Sequence, residues 1–462
     1  MRDDRRVLLA VGLLLLLLLL LLLSGPAAAS SAGLVAGPNG SLAVAPGVSA
    51  RIAGADINTL ITLQGALDAE AAVAAAAAAG VREAASRLCE AGALPLPVAD
   101  VSAPAWELPT RWALDMEVFH IGGELFVGVA SKRNDAGDVD TESPVFRFDP
   151  ALQRFVLHQA LPTSHAYEME AFELGATTYL AVAFHGREAE QWYSQSPVYR
   201  FDPRSRQFVV HQRLATHGAL TCRFFRAAGR DFLVVANHIL GFDAAQSSSA
   251  LPSQVFVWDG QADLFVLHQN LTTSGAYSAA FVDLGPQRRF LVVANHREGQ
   301  NFDVPSAVYK MNEATAMFEW HQSLDVPAAI HVEPFAVGST NFLAVASYRV
   351  PQQMSEALSH LYRFDPARNE YVDHQQLRGS GTAHILALAS EQHQYLALAN
   401  YLADQSSLLR YNRTTARFDP VLELPSSRAH GMAALTVAGV QYLAVAHAAG
   451  PVSPVYRLSP CF

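Results

Sequence analysis

F-L-V-V-A-N, at Phe232–Asn237 and again at Phe290–Asn295, is the fullest form of a phrase whose count decides the fold. An aromatic, a short aliphatic run and a closing alanine recur at Phe126–Ala130, Tyr179–Ala183, Phe342–Ala346, Tyr395–Ala399 and Tyr442–Ala446, making seven copies in all. Successive closing alanines stand 53, 53, 58, 52, 53 and 47 residues apart. A period of roughly fifty residues with strand-like content marks a radial repeat, whose units cannot bury their own faces alone. A residue present in every copy is therefore architecture, and chemistry is to be sought where the copies differ.

Around the phrase each copy reads as four short strands. The first ends in an apolar residue before a turn, as Phe119 does before Gly122-Gly123 and Phe172 before Gly175. The phrase itself is the second. The third is V-Y-R-F-like (Val145–Phe148, Val198–Phe201, Leu361–Phe364, Val455–Leu458), often closed by Asp-Pro turn chemistry as at Asp202-Pro203. The fourth carries an aromatic and a His-Gln pair: Phe155 with His158-Gln159, Phe208 with His211-Gln212, Phe265 with His268-Gln269, Phe318 with His321-Gln322, and Tyr371 with His374-Gln375. Four strands per repeat and seven repeats predict an all-β, seven-bladed β-propeller. The last copy stops after its third strand, at Leu458, and the segment from Pro97 to Ala105 stands where a fourth strand belongs. It is expected to pair with blade seven and close the ring, leaving no open edge.

Four regions follow: residues 1–29 as a signal peptide, 30–56 as a flexible linker, 57–92 as an Ala-rich helical segment, and 95–462 as the propeller. Arg2, Arg5 and Arg6 precede an apolar run from Val7 to Leu23, and Ala27–Ala29 supply the small residues of a cleavage site. An uncleaved signal anchor is the rival reading, since the run nearly reaches the roughly 20 residues of a membrane span. With positive charge only before the run, both place the rest outside the cytosol, secreted or at the cell surface. The helical segment is either a packed hairpin or a low-complexity spacer. Asn39, Asn270 and Asn412 head glycosylation triplets. Cys89, Cys222 and Cys461 are too few for a disulfide scaffold. Cys89 and Cys461 flank the repeats and would meet on ring closure, leaving Cys222 as a buried thiol; the alternative is three unpaired buried cysteines. A formal net charge of -10 without a Lys/Arg cluster argues against nucleic acid as a partner.

The F-L-V-V-A-N, V-Y-R-F-D-P (Val198–Pro203) and F-x-x-H-Q phrases resemble the EAR repeats, also called EPTP repeats. These occur in leucine-rich glioma-inactivated proteins and in a secreted protein with a thrombospondin-type laminin G domain. The resemblance covers all seven copies, and WD40 and kelch patterns fit less well. The chain lacks leucine-rich repeats and a recognisable laminin G domain, so the partners of those proteins do not transfer. The resemblance implies a seven-bladed extracellular propeller that binds protein and has no enzymatic activity.

The five His-Gln pairs lie far apart around a ring, so they are read as satisfying polar groups at blade edges rather than as a metal cluster. Loops joining second to third strands share one face of a propeller with the blade-to-blade connections. Five are long, at 131–144, 184–197, 237–254, 295–307 and 347–360, against short ones at 400–407 and 447–454. Long uneven loops on a rigid scaffold are usual recognition surfaces. Arg187, Trp192, Tyr193, Phe242, Arg297, Phe302, Tyr348 and Arg349 are the candidate partner-binding residues, being of the types enriched at hot spots. The competing reading folds these side chains back on their own loops. A second candidate is the central channel. Asp115 and Glu117, then Glu168 and Glu170, hold matching first-strand positions in neighbouring blades, where they could converge on calcium (Ca2+). Alternatively Arg223, in the same place in blade three, neutralises them. The function expected is extracellular protein binding. The alternatives are a carbohydrate- or cell-wall-binding module, favoured by Trp192 and Tyr193 side by side, and a propeller hydrolase, supported only by the channel acids.

Overall fold

The computed structural model describes residues 103–186, 193–238, 250–348, 358–390 and 393–458, and the strand backbone of a few shorter segments. The signal segment, the Ala-rich segment 57–92, Cys89, Cys461 and Asn39 lie outside the described residues. Two compact units divide the chain, Met1–Leu94 and Pro95–Phe462. Within the first, Leu34–Ala36 pairs with Leu42–Val44, and Arg51–Ile52 with Ala55–Asp56, all antiparallel and within the stretch read as linker. Among the described residues no helix is long and apolar enough to cross a membrane.

The second unit is a seven-bladed propeller of four-stranded antiparallel blades. Blade one is Ala113–Ile121, Glu124–Ser131, Asp140–Asp149 and Arg154–Ser164, paired in that order. The first strands of blades two to seven are Ala166–Leu174, Ala219–Ala227, Ala276–Asp283, Ala329–Val337, Thr382–Ala389 and Ala429–Val437. Every copy of the sevenfold phrase is a second strand, and its side chains are almost wholly buried. The core is divided into seven clusters, each formed between two neighbouring blades; one, for example, unites Phe225 and Phe232 of blade three with Leu291, Tyr309 and Phe318 of blade four. Phe119 stacks on Phe126, Phe172 on Tyr179, Phe225 on Phe232 and Phe335 on Phe342, so aromatics of adjacent strands fill these seams. Burying one such ring contributes about 1.5–3 kcal/mol, which is reason enough for its repetition.

Closure comes from the N-terminal side. Trp106–Pro109 pairs antiparallel with the last strand, Val452–Leu458, matching Trp106 to Val455 and Pro109 to Val452. Ala99–Asp100 pairs with Leu458 and Arg457. The closing strand therefore runs further than Pro97 to Ala105, through Leu108-Pro109, just as the fourth strand of blade one runs through Leu161-Pro162.

A left-handed residue opens every first strand: Trp112, His165, Gly218, Gly275, Ala328, Gly381 and Arg428, with φ from 46° to 59°. A bulge follows in each strand, shifting its register against the second. The first strands adjoin one another around the ring as the innermost strand of each blade.

Candidate binding face and channel

The His-Gln pairs are clasps between blades. Each histidine meets the backbone carbonyl of a left-handed turn residue in the next blade: His158 with Arg206 at 2.7 Å, His211 with Asp263 at 2.7 Å, His268 with Ala316 at 3.1 Å, His321 with Asn369 at 2.7 Å and His374 with Ala416 at 2.6 Å. Each glutamine amide acts as a peptide unit. Gln269 Nε2 donates to Phe318 O at 2.7 Å while its Oε1 accepts from Phe318 N at 2.8 Å, and Gln159, Gln212, Gln322 and Gln375 repeat this with the next blade. Blade six has Val421-Leu422 at this place. Blade seven takes its third strand from Val452–Leu458 and its fourth from Trp106–Pro109, so no short turn of the chain joins the two to receive a histidine. At the seam from blade seven to blade one, Trp106 Nε1 donates to Gln153 O at 2.9 Å, the equivalent turn position.

In the channel, the acids also bind the next blade. Asp115 Oδ2 accepts from Met169 N at 3.1 Å and Glu117 Oε1 from Ala171 N at 3.0 Å. Glu168 accepts from Cys222 N at 2.9 Å and Glu170 from Phe224 N at 2.9 Å. In blade five His331 Nδ1 and Glu333 Oε1 take Ile385 N and Ala387 N in the same two positions. Arg223 meets Glu168 at 2.5 Å and Glu170 at 2.7 Å. Each of the four acids is thus engaged by a backbone amide, and Glu168 and Glu170 also by Arg223; among the described residues no group of three or more His, Cys, Asp or Glu is placed to hold a metal. Burial pushes the carboxyl of Glu333 up to about 7 and that of Glu168 up to about 8, the latter against the pull of Arg223. Cys222 is a buried free thiol.

Where the first strands reach the long-loop face, a continuous aromatic and imidazole cluster spans the mouth. Tyr167 lies 6.2 Å from Tyr277 and 6.2 Å from His430, and His430 lies 6.1 Å from Tyr401, which touches Tyr348 at 5.6 Å. Along one side run His165, His185, His238 and His296, with successive ring centroids 5.1, 6.1 and 5.7 Å apart. Cations border it. Lys132 Nζ donates to Tyr167 OH at 3.3 Å, Arg133 stacks 3.6 Å over Trp112, and Arg428 sits 6.0 Å from the Tyr401 ring. Burial holds His165 down to about 4, His238 to about 3, His296 to about 4 and His430 to about 4, so these imidazoles are neutral at pH 7.

Of the predicted partner-binding residues, Phe302 packs on His296 at 5.2 Å and Tyr348 on Tyr401, which joins both to this cluster, and Arg297 is half-buried beside them. Arg187, Trp192, Phe242 and Arg349 lie outside the described residues, as does the side chain of Tyr193, whose backbone opens the third strand of blade two. Asn270 is exposed on the fourth strand of blade three. Asn412 holds a turn: its Oδ1 accepts from Thr414 N at 3.0 Å and its Nδ2 donates to Asp419 at 3.0 Å. The cluster residues Tyr167, Tyr277, His185 and His238 escaped sequence reasoning because they sit at or just beyond strand ends, where no phrase repeats. One signal was available: a His directly follows the second strand in blades two, three and four, at His185, His238 and His296.

The EPTP domain model matches residues 154–202, 207–259 and 317–365. Each match begins with the fourth strand of one blade and ends with the third strand of the next, so the sequence repeat straddles two blades. A stretch of 197 residues is 34% identical to the thrombospondin-type laminin G domain and EAR repeat-containing protein of Mus musculus, covering 42% of this chain and 27% of that protein. The Homo sapiens protein of the same description is 34% identical over 198 residues. The chain thus spans about a quarter of the length of the curated relatives it matches, at 27%. Among solved structures, a candidate 6-phosphogluconolactonase of Bacteroides fragilis superposes with a TM-score of 0.50 at 13% identity, covering 71% of this chain and 88% of that one, a likeness of fold alone.

Proposed function

The chain carries EPTP repeats, and from that premise we propose that it is an extracellular binding module that holds another protein on its long-loop face. One observation carries the reading. That face holds a cluster of tyrosines, histidines and cations that differs from blade to blade, whereas the repeated polar residues elsewhere clasp one blade to the next. Side chains of these types on a rigid ring are suited to anchoring a partner. The basic, then apolar N-terminus supports delivery out of the cytosol. Binding rather than catalysis fits a channel whose described acids are committed to neighbouring amides and to Arg223.

The test is binding of the tagged, secreted protein to live cells, followed by crosslinking to a surface protein. Phe302→Ala with Arg297→Ala should abolish capture, and His120→Ala with Gln441→Ala, near the opposite channel mouth, should leave it intact. Equal effects from the two pairs would remove the long-loop face from the proposal. Binding that survives removal of surface proteins but not of surface glycans would favour a carbohydrate module instead.

A further inference from the structure

The mouth cluster is positively poised within an acidic protein, and that contrast is specific. The whole chain has a formal net charge of -10. Yet four cations, Lys132, Arg133, Arg297 and Arg428, border the cluster, against two acids, Glu298 and Asp303, that follow Arg297 and Phe302 on one loop. Burial lowers His185 and His238, and neighbouring imidazoles, Lys132 and Arg297 add to the effect. A nearby acid, Asp135, is held 2.7 Å from Arg111.

The site is also built with polar atoms to spare. His165 is 3% exposed, its Nδ1 lies 3.2 Å from Gly186 O, and its Nε2 has no partner among the described residues. Nδ1 of His296 and Nε of Arg297 are buried and unpartnered in the same way. Buried polar groups are normally satisfied, and those left over at a mouth are what a ligand would satisfy.

We infer that this mouth receives a carboxylate side chain from an acidic segment of the partner protein, which enters between Lys132 and Arg297 over the tyrosine floor. The inference rests on the protein-binding reading above and names what the partner presents. The chemistry favours a peptide carboxylate over a sulfated polysaccharide. Here two cations flank a floor of phenols and neutral imidazoles, suited to one charge set among apolar groups, whereas a polyanion is held by a run of closely spaced cations.

The probe is an acetylated, amidated tetraglutamate peptide, titrated calorimetrically into the full-length protein at low and at physiological salt, with tetralysine and a heparin-derived hexasaccharide in parallel. Tetraglutamate should bind, weaken as salt rises, and lose tenfold or more in affinity to the Lys132→Gln, Arg297→Gln double variant. Tetralysine should not bind. In case the double variant folds poorly, histidine-labelled wild type gives a second readout: tetraglutamate should shift several ring resonances. Absence of tetraglutamate binding, unchanged affinity in a folded variant, unmoved histidine signals, or binding of the hexasaccharide alone would each overturn the inference. Cell-surface capture that persists without tetraglutamate binding would overturn it while leaving the protein-binding reading in place.

Discussion

Glu333 shows how one side chain makes the ring sensitive to pH. Its carboxyl accepts the Ala387 amide of the next blade at 2.9 Å, and burial raises it to about 7 from the ordinary value of 4.5. The folded protein therefore holds this proton more tightly than the unfolded chain. The stability that follows is complete below pH 4.5 and is lost as pH rises through 7. Glu333→Gln keeps an acceptor for Ala387 and abolishes the titration. The variant should match wild type near pH 5 and exceed it by about 3 kcal/mol at pH 8, as read from urea melts at the two values. Gly431 acts through the lack of a side chain: a Cβ there would lie 2.7 Å from Leu114 O, so blade seven approaches blade one more closely than any other residue would allow.

At the scale of strands, the His-Gln clasps show where sequence is legible and where it is not. Their repetition marked them as architecture, but their geometry, one imidazole to a turn carbonyl and one amide to a peptide unit, needed coordinates because each partner lies in another repeat. Gln269→Ala would leave both the N–H and the C=O of Phe318 unpaired inside a seam, and should cost about 1–3 kcal/mol in a denaturant melt. Trp106→Phe keeps an aromatic against Phe148, Phe155 and Tyr442 but deletes the donor to Gln153 O. A loss of about 0.5–1.5 kcal/mol is expected, and no loss would show that the seam is held by packing alone. The left-handed entry to each first strand was not readable at all. Glycine marks it in only three of seven blades, at Gly218, Gly275 and Gly381, and elsewhere Trp112, His165, Ala328 and Arg428 take the same conformation. The hydroxyl pairs Ser143–Thr163, Ser196–Thr216 and Ser253–Thr273, 2.8–3.0 Å apart, were equally hidden, since small polar residues near loops carry no distinctive pattern.

For the whole molecule, the fold was legible because the hydrophobic phrase and its count are properties of the chain itself. The mouth was not, because Tyr167, Tyr277, Tyr401 and His430 come from four blades and meet only once the ring exists. The histidines also set the response to acid. Burial lowers His165, His185, His238, His296, His331, His384, His430 and His447, while it raises Asp115, Glu117, Glu168 and Glu333. Below pH 6.5 the unfolded chain gains more protons than the folded one, so stability falls, by about 1.4 kcal/mol per pH unit for each histidine in excess of the acids. Calorimetric scans should give a lower Tm at pH 4.5 than at pH 6.5, and a flat profile would count against neutral buried imidazoles. The pairing of Trp106–Pro109 with Val452–Leu458 has a consequence in time. A ribosome makes the first of these strands some three hundred and fifty residues before the second. Throughout that interval the nascent chain holds a growing arc with two unmatched seams, so completion of the ring must wait until Val452–Leu458 has been made, and a chain stalled before that strand leaves an open circle for the cell's quality control to find.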